Sequence, residues 1–286
     1  MESQQQPRRK GKRSFKYIIR FFQIVFALTA VFIISFFVTL AIRASNNNDT
    51  PQLEERYSVA SKKNPIAQIN SDSGFGGKID RLLNIESAIE EKRMKIRRYV
   101  LFKDIPRNLR QAIIAVEDKR FYNHTGFDIE SIARATVVNV EAGEIEEGGS
   151  TITQQLAKNL FLSQERSFTR KFEELLLAIQ IERHFDKNKI LEMYLNTIYF
   201  GSNFYGIYEA AQGYFGKEPK ELNLAECALL AGIPNAPSVY SPYVNFKLSK
   251  QRQLVVLEAM VHAHYIGKYE ADKARNEEII LREGFY

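Results

Sequence analysis

A run of 22 residues without a charge, Phe21–Ile42 (FFQIVFALTAVFIISFFVTLAI), constrains this chain more than any other feature. Only Gln23, Thr29, Ser35 and Thr39 within it are polar. A helix satisfies its backbone groups internally, which a bilayer interior demands. At about 1.5 Å per residue such a helix crosses about 30 Å of hydrocarbon. The alternative is a cleaved signal peptide, whose apolar stretch runs about 7–15 residues to a small-residue cleavage site. This run is longer and AIRASNN after it is a poor cleavage site, so a single transmembrane helix over 21–43 is predicted.

Orientation follows from charge. The 286-residue chain has a formal net charge of +6, from 40 Lys and Arg against 34 Asp and Glu. Seven of those bases (Arg8, Arg9, Lys10, Lys12, Arg13, Lys16 and Arg20) and one acid, Glu2, lie in residues 1–20, so the rest of the chain is neutral. A basic tail before the span places the N-terminus in the cytoplasm and the body outside. The neutral body also removes the case for a nucleic-acid partner. Hydrophobic residues at 45% and charged residues at 26% exclude wholesale disorder. A single cysteine, Cys227, excludes an internal disulfide and a cysteine-rich zinc site.

Beyond the tail (1–20) and the anchor (21–43), residues 44–98 read as an extracytoplasmic linker region. Its first part, with SNNNDT and SKKNP, is a polar tether. SDSGFGGK (71–78) reads as a turn between short strands, and Ile85–Arg98 as a charged, helix-compatible run. From residue 99 to 286 the pattern is mainly α. Leu109, Ala112, Ile113 and Val116 follow the i, i+3, i+4, i+7 spacing. Thr151 and Gln154 are spaced as a capping box after Gly148-Gly149. Phe168, Phe172, Leu175, Leu176 and Ile179 share one helical face. Asp186 is an N-cap for Lys187–Asn196, and Leu222–Ala231 and Lys247–His264 are helical, separated by Pro234, Pro237 and Pro242.

Three places could carry chemistry. Glu117 borders the apolar face made by Ile113 and Phe121. Partial desolvation there favours the neutral carboxyl and raises its pKa, as a general base near neutral pH requires. The same position also suits a helix-terminal acid answered by Lys119 or Arg120. GGSTITQQLAKN (148–159) exposes backbone N–H groups at a helix start, which suits an anion; it equally suits an ordinary capped helix. In RKFEELLLAIQIE (170–182), Lys171, Glu174, Ala178 and Glu182 fall on the face opposite the Phe/Leu stripe. Glu174 beside Arg170 and Lys171 could hold a pyrophosphate, or be a surface ion pair. No HExxH, GxSxG or P-loop pattern is present.

EDKRFYNHTG (117–126), GGSTITQQLAKN (148–159), RKFEELLLAIQIE with ILEMYLN (170–196), YFGSNFYGIYEAAQGYFGK (199–217) and LNLAECALLAGIPNAPSVYSP (222–242) occur in one order. Together they closely resemble the family 51 peptidoglycan glycosyltransferases, from about Val100 to about Ala274. The resemblance implies a lysozyme-like, mostly helical domain on a single transmembrane helix, at the bacterial cytoplasmic membrane, that polymerises lipid II. It implies that Glu117 takes a proton from the acceptor GlcNAc 4-hydroxyl, which attacks the donor MurNAc C1 with inversion. Glu174 becomes the second catalytic carboxylate. The implied substrate-binding set is Asp118, Phe121, His124, Ser150, Thr151, Gln154, Gln155, Lys158, Asn159, Arg170, Lys171 and Glu182. No cofactor is obligatory; a divalent cation, magnesium or manganese, is an option at the donor pyrophosphate. Leu160, Phe161, Leu162 and Phe168 match a lobe that dips into the bilayer in that family, with ordinary core as the other reading.

Implied partners are lipid II, the growing glycan, membrane lipid, a cell-wall synthesis complex and a separate transpeptidase. The chain carries no SxxK, SxN and KTG set, so it is expected to make strands without cross-linking them, as a monofunctional enzyme or the front of a longer one. A lysozyme-like hydrolase or lytic transglycosylase shares the fold and a catalytic Glu, but has no need of the cations near Glu174. A catalytically idle lipid II adaptor is disfavoured by the intact Glu117 and Glu174.

Overall fold

Leu109, Ala112 and Ile113 are completely enclosed, so the apolar stripe that the sequence spaces at i, i+3 and i+4 is a core-facing one. In this computed structural model, residues 75–142, 148–162 and 168–283 are described. The basic tail, the expected anchor over 21–43 and the tether lie outside them. Among the described residues no helix is long and apolar enough to cross a membrane.

Twelve α-helices are traced among the described residues. They are α1 (Phe75–Leu83), α2 (Ile85–Met94), α3 (Arg107–Glu117), α4 (Ile129–Ala142), α5 (Ile152–Phe161) and α6 (Phe168–His184). They continue as α7 (Lys187–Thr197), α8 (Ile207–Phe215), α9 (Leu224–Gly232), α10 (Pro237–Tyr240), α11 (Pro242–His262) and α12 (Lys268–Asn276). The mainly α expectation therefore holds, and among the described residues the β content is one antiparallel bridge between Tyr199 and Tyr205.

Two groups of helices position the site. α3, α9 and α11 pack on one another, and α5 packs on α6 and α7. Every side chain of α9 from Ala225 to Ala231 is buried, including Glu226, whose Oε1 lies 2.6 Å from Lys217 Nζ. Caps fix where helices start. Thr151 and Gln154 form the anticipated capping box of α5, and Asp186 accepts from the Lys189 N–H at 2.7 Å to start α7. The turn between α7 and α8 passes Gly206 at φ +82, where an added Cβ would lie 2.5 Å from the Asn196 carbonyl oxygen; only glycine fits there.

Two sequence expectations are corrected. The segment read as a turn between strands enters α1 at Phe75: Gly76 and Gly77 sit in its first turn, where backbone N–H groups lack intrahelical partners anyway. The globular body begins before residue 99, because Ile85 and Ile89 of α2 are 1% and 2% exposed within the core. On α6 the buried side chains are Glu174, Leu177, Ala178 and Ile181, on the side opposite the Phe/Leu stripe. Phe172 of that stripe is 38% exposed. Periodicity shows that a helix has two sides, and the pairing of Glu174 with cations lets the carboxylate side face inward.

Candidate active site

α3 ends at Glu117, and the next residue leaves the helix in an extended conformation (Asp118, φ −156, ψ 77). This turn aims the two neighbouring carboxylates at different tasks. Asp118 is buried and pins the start of α5. Its Oδ2 accepts the Ile152 N–H at 3.0 Å, one of the donors a helix start cannot satisfy by itself. His124 Nε2 lies 2.9 and 3.1 Å from the two Asp118 oxygens. A carboxylate there also complements the positive end of the α5 dipole.

Glu117 faces the other way. It is half-buried as a residue, and its Oε2 accepts from Gln155 Nε2 at 2.8 Å. Its Oε1 is closed to solvent and has no hydrogen-bond partner among the described residues. Burial raises the pKa of this carboxyl above the usual range; the Gln155 hydrogen bond and the charges of Arg252 and Lys158 act against that rise. Gln155 is in turn oriented by Tyr194 of α7, whose hydroxyl donates to Gln155 Oε1 at 3.1 Å.

Lys158, one turn further along α5, senses both acids. Burial depresses its pKa, Glu174 and Glu117 raise it, and Arg170 and Lys171 depress it further. Glu174 is 3% exposed. One of its oxygens is held by Lys171 and the other by Arg170 at 3.3 Å. Lys171 Nζ also donates to Ser150 Oγ at 2.8 Å, which ties α6 to the residue just before the α5 N-cap. Two carboxylates with a lysine within electrostatic reach of both, and three further polar groups around the second, form one polar array across α3, α5 and α6. A proton acceptor at one end and a cation cluster at the other are the parts needed to deprotonate an acceptor and hold a departing anion.

The remaining anticipated residues take supporting places. The Thr151 and Gln154 side chains are occupied by the cap, with the Thr151 hydroxyl also donating to the Gly126 carbonyl at 2.8 Å. Phe121 is fully buried, with the Lys187 ammonium 4.5 Å from its ring centroid. Glu182 is engaged by Thr153 at 2.6 Å and Lys187 at 2.7 Å, joining α5, α6 and α7. Asn159 is half-buried. Leu160 and Phe161 belong to the core, so the ordinary-core reading holds for both and neither contributes an exposed lobe. Exposed apolar side chains occur instead at Phe172 on α6 and at Ile129 and Ile132 on α4.

Two residues near Glu117 escaped the sequence reading. Tyr194 sits inside ILEMYLN but looks like one more apolar helix residue. Arg252 comes 135 positions later and carries no local signal. Its stem crosses Gly232, where an added Cβ would be 2.8 Å from Arg252 Cγ. No group of three His, Cys, Asp or Glu side chains that could hold a metal occurs among the described residues.

Residues 85–261 match the family model described as Transglycosylase. Penicillin-binding protein 1A of Neisseria cinerea is 51% identical over 183 residues, covering 64% of this chain and 23% of the relative. Penicillin-binding protein 1A of Aquifex aeolicus is 49% identical over 185 residues, covering 65% and 26%. The chain thus spans about a quarter of the length of these relatives. Among solved structures, penicillin-binding protein 1A from Haemophilus influenzae aligns at 28% identity with a TM-score of 0.40, covering 65% of this chain and 18% of that one.

Proposed function

The chain belongs to the transglycosylase family, and on that premise we propose that it is a membrane-anchored peptidoglycan glycosyltransferase that polymerises lipid II. The observation that carries this reading is the polar array: Glu117, with one unpartnered buried oxygen, is linked through the field of Lys158 to Glu174 and its cations.

In the reaction, Glu117 accepts the proton of the acceptor GlcNAc 4-hydroxyl. The freed oxygen attacks C1 of the donor MurNAc from the face opposite its leaving group. The new C1–O4 bond forms as the C1–O bond to the lipid pyrophosphate breaks, so α becomes β. The bond's electron pair leaves with undecaprenyl pyrophosphate. Arg170, Lys171 and Ser150 suit that diphosphate, since fixed donors in a low-dielectric site stabilise charge as it develops. Lys158 favours the ionised form of Glu117 before the transfer. The residues present do not by themselves make a metal site, because both Glu174 oxygens already have cationic partners. A magnesium or manganese ion here would draw its ligands from the diphosphate, and no step above depends on it.

The membrane reading is part of the same proposal. Phe21–Ile42 is the anchor, the N-terminus is cytoplasmic, and the domain works outside the cytoplasmic membrane. Exposed Phe172, Ile129 and Ile132 suit contact with the bilayer that holds the lipid tails. The growing glycan is the donor.

The test is purified full-length chain with labelled lipid II in detergent or vesicles. Long polymer, abolished by Glu117→Gln and by the phosphoglycolipid moenomycin, is the expected result. Cleavage of preformed glycan without polymerisation would overturn the reading in favour of a hydrolase or lytic enzyme.

A further inference from the structure

The two oxygens of Glu117 are not equivalent. Oε2 is held by Gln155 at 2.8 Å, while Oε1 is buried and unpartnered among the described residues. A carboxylate only accepts hydrogen bonds, so the Gln155 amide must turn its NH2 toward Glu117 and its carbonyl oxygen away. That carbonyl oxygen meets the Tyr194 hydroxyl at 3.1 Å. Tyr194 is completely buried on α7, and burial with the nearby charges of Glu117 and Asp118 keeps its hydroxyl protonated. A tyrosine that stays protonated donates, so it locks the amide in the one orientation that serves the carboxylate. An unpartnered buried acceptor is costly, and an incoming hydroxyl is the donor it lacks.

We propose that Tyr194, acting through Gln155, is a positioning residue that reserves Oε1 of Glu117 as the atom that takes the acceptor proton. The inference rests on the reading of Glu117 as the base. The proton of the acceptor hydroxyl moves to Oε1, the hydroxyl oxygen keeps the electron pair for the attack on C1, and Oε2 stays hydrogen-bonded to Gln155 throughout. Other charged groups that act on Glu117 are Asp118 beside it, Lys158 of α5 and Arg252 of α11. None of them contacts the Gln155 amide among the hydrogen bonds described, so none replaces the lock.

Removing the hydroxyl frees the amide to turn its oxygen toward Glu117, which disfavours the ionised base. Tyr194→Phe is therefore expected to lower kcat at neutral pH by about fivefold, the scale of one weakened hydrogen bond to a charged group, with KM for lipid II nearly unchanged. The acid limb of the pH–rate profile moves to higher pH. Gln155→Met, which keeps volume but neither hydrogen bond, produces the larger effect, and adding Tyr194→Phe to it changes nothing further.

A readout independent of activity is the titration of carboxyl-13C-labelled glutamate by NMR, with the Glu117 signal identified by its loss in Glu117→Gln. The midpoint is expected to rise in Tyr194→Phe and in Gln155→Met. Unchanged titration and unchanged pH profile in both variants would overturn the proposal, as would fully additive losses in the double variant. A shifted titration in a chain that polymerises no lipid II would reject the proposed reaction while leaving the hydrogen-bond lock intact.

Discussion

Asn196 is the place where a single substitution tests how α7 is held against the segment leading into α3. Its Oδ1 accepts the Val100 N–H at 2.7 Å, and its Nδ2 donates to the Val100 carbonyl at 2.9 Å and to the Glu192 carbonyl at 2.8 Å. Asn196 is 2% and Val100 9% exposed, so Asn196→Ala leaves both backbone groups of Val100 without partners in a nearly dry setting. Each unsatisfied buried group costs about 1–3 kcal/mol. Slight access of water at Val100 favours the lower half of that range, giving about 3 kcal/mol for the pair. For a domain of this size, about 2–4 °C of melting temperature is lost per kcal/mol, so a drop of about 6–12 °C is expected by far-UV circular dichroism. Asn196 itself touches neither Glu117 nor Glu174, so initial rates well below the transition should stay within about twofold, a change that corresponds to less than 0.5 kcal/mol. A melting temperature within about 2 °C of the unaltered chain, less than 1 kcal/mol on the same scale, would show that the Val100 groups find other partners and that this clamp does not hold α7.

Four further outcomes follow, three from the site and one from the packing of α9. Glu117→Gln is expected to cost at least about 100-fold in kcat, the lower range for a positioned general base, with far-UV circular dichroism unchanged; near-normal turnover would remove Glu117 as the base. In the unaltered chain, activity falls as pH drops through the raised pKa of Glu117. The sign for stability is opposite: the folded state binds that proton more tightly, so this group favours folding at low pH. Its contribution is lost as pH rises through the usual carboxylate range to the raised value, and a Glu117→Gln chain should show a flatter stability–pH curve. Lys171→Met removes the cation joining Ser150 and Glu174 and should raise KM for lipid II by about tenfold, one charge-assisted hydrogen bond; an unchanged KM would exclude Lys171 from the diphosphate site. Cys227 is fully buried and burial pushes its thiol pKa up, so maleimide should label it only after denaturation, and rapid labelling of folded protein would contradict the packing of α9.

Much of the fold was legible because its signals are local. The i, i+3, i+4 stripe of α3, the Thr151–Gln154 box and the Asp186 cap each depend on residues within one or two turns. They appear in the structure as anticipated. The inward side of α6 was not legible, because the Phe/Leu stripe is the more apolar one and an isolated helix would be expected to bury it. The buried side carries Glu174, which is tolerated there because Lys171 and Arg170 neutralise it. Leu160 and Phe161 show the converse: apolar side chains in the right motif for a membrane-facing lobe turn into the core.

By itself the sequence determined the mainly helical class, the membrane-span candidate, the neutral body behind a basic tail, and the ordered motifs that carry membership of the family. These are properties of residue order and short-range spacing, which any conformation of the chain retains. Only the tertiary structure decided that Asp118 pins a helix while its neighbour Glu117 keeps one oxygen free. It alone brought Tyr194 and Arg252, 77 and 135 positions away in the chain, into the environment of that carboxylate. Hydrogen bonds and desolvation depend on distances across packed helices, and no local spacing encodes them.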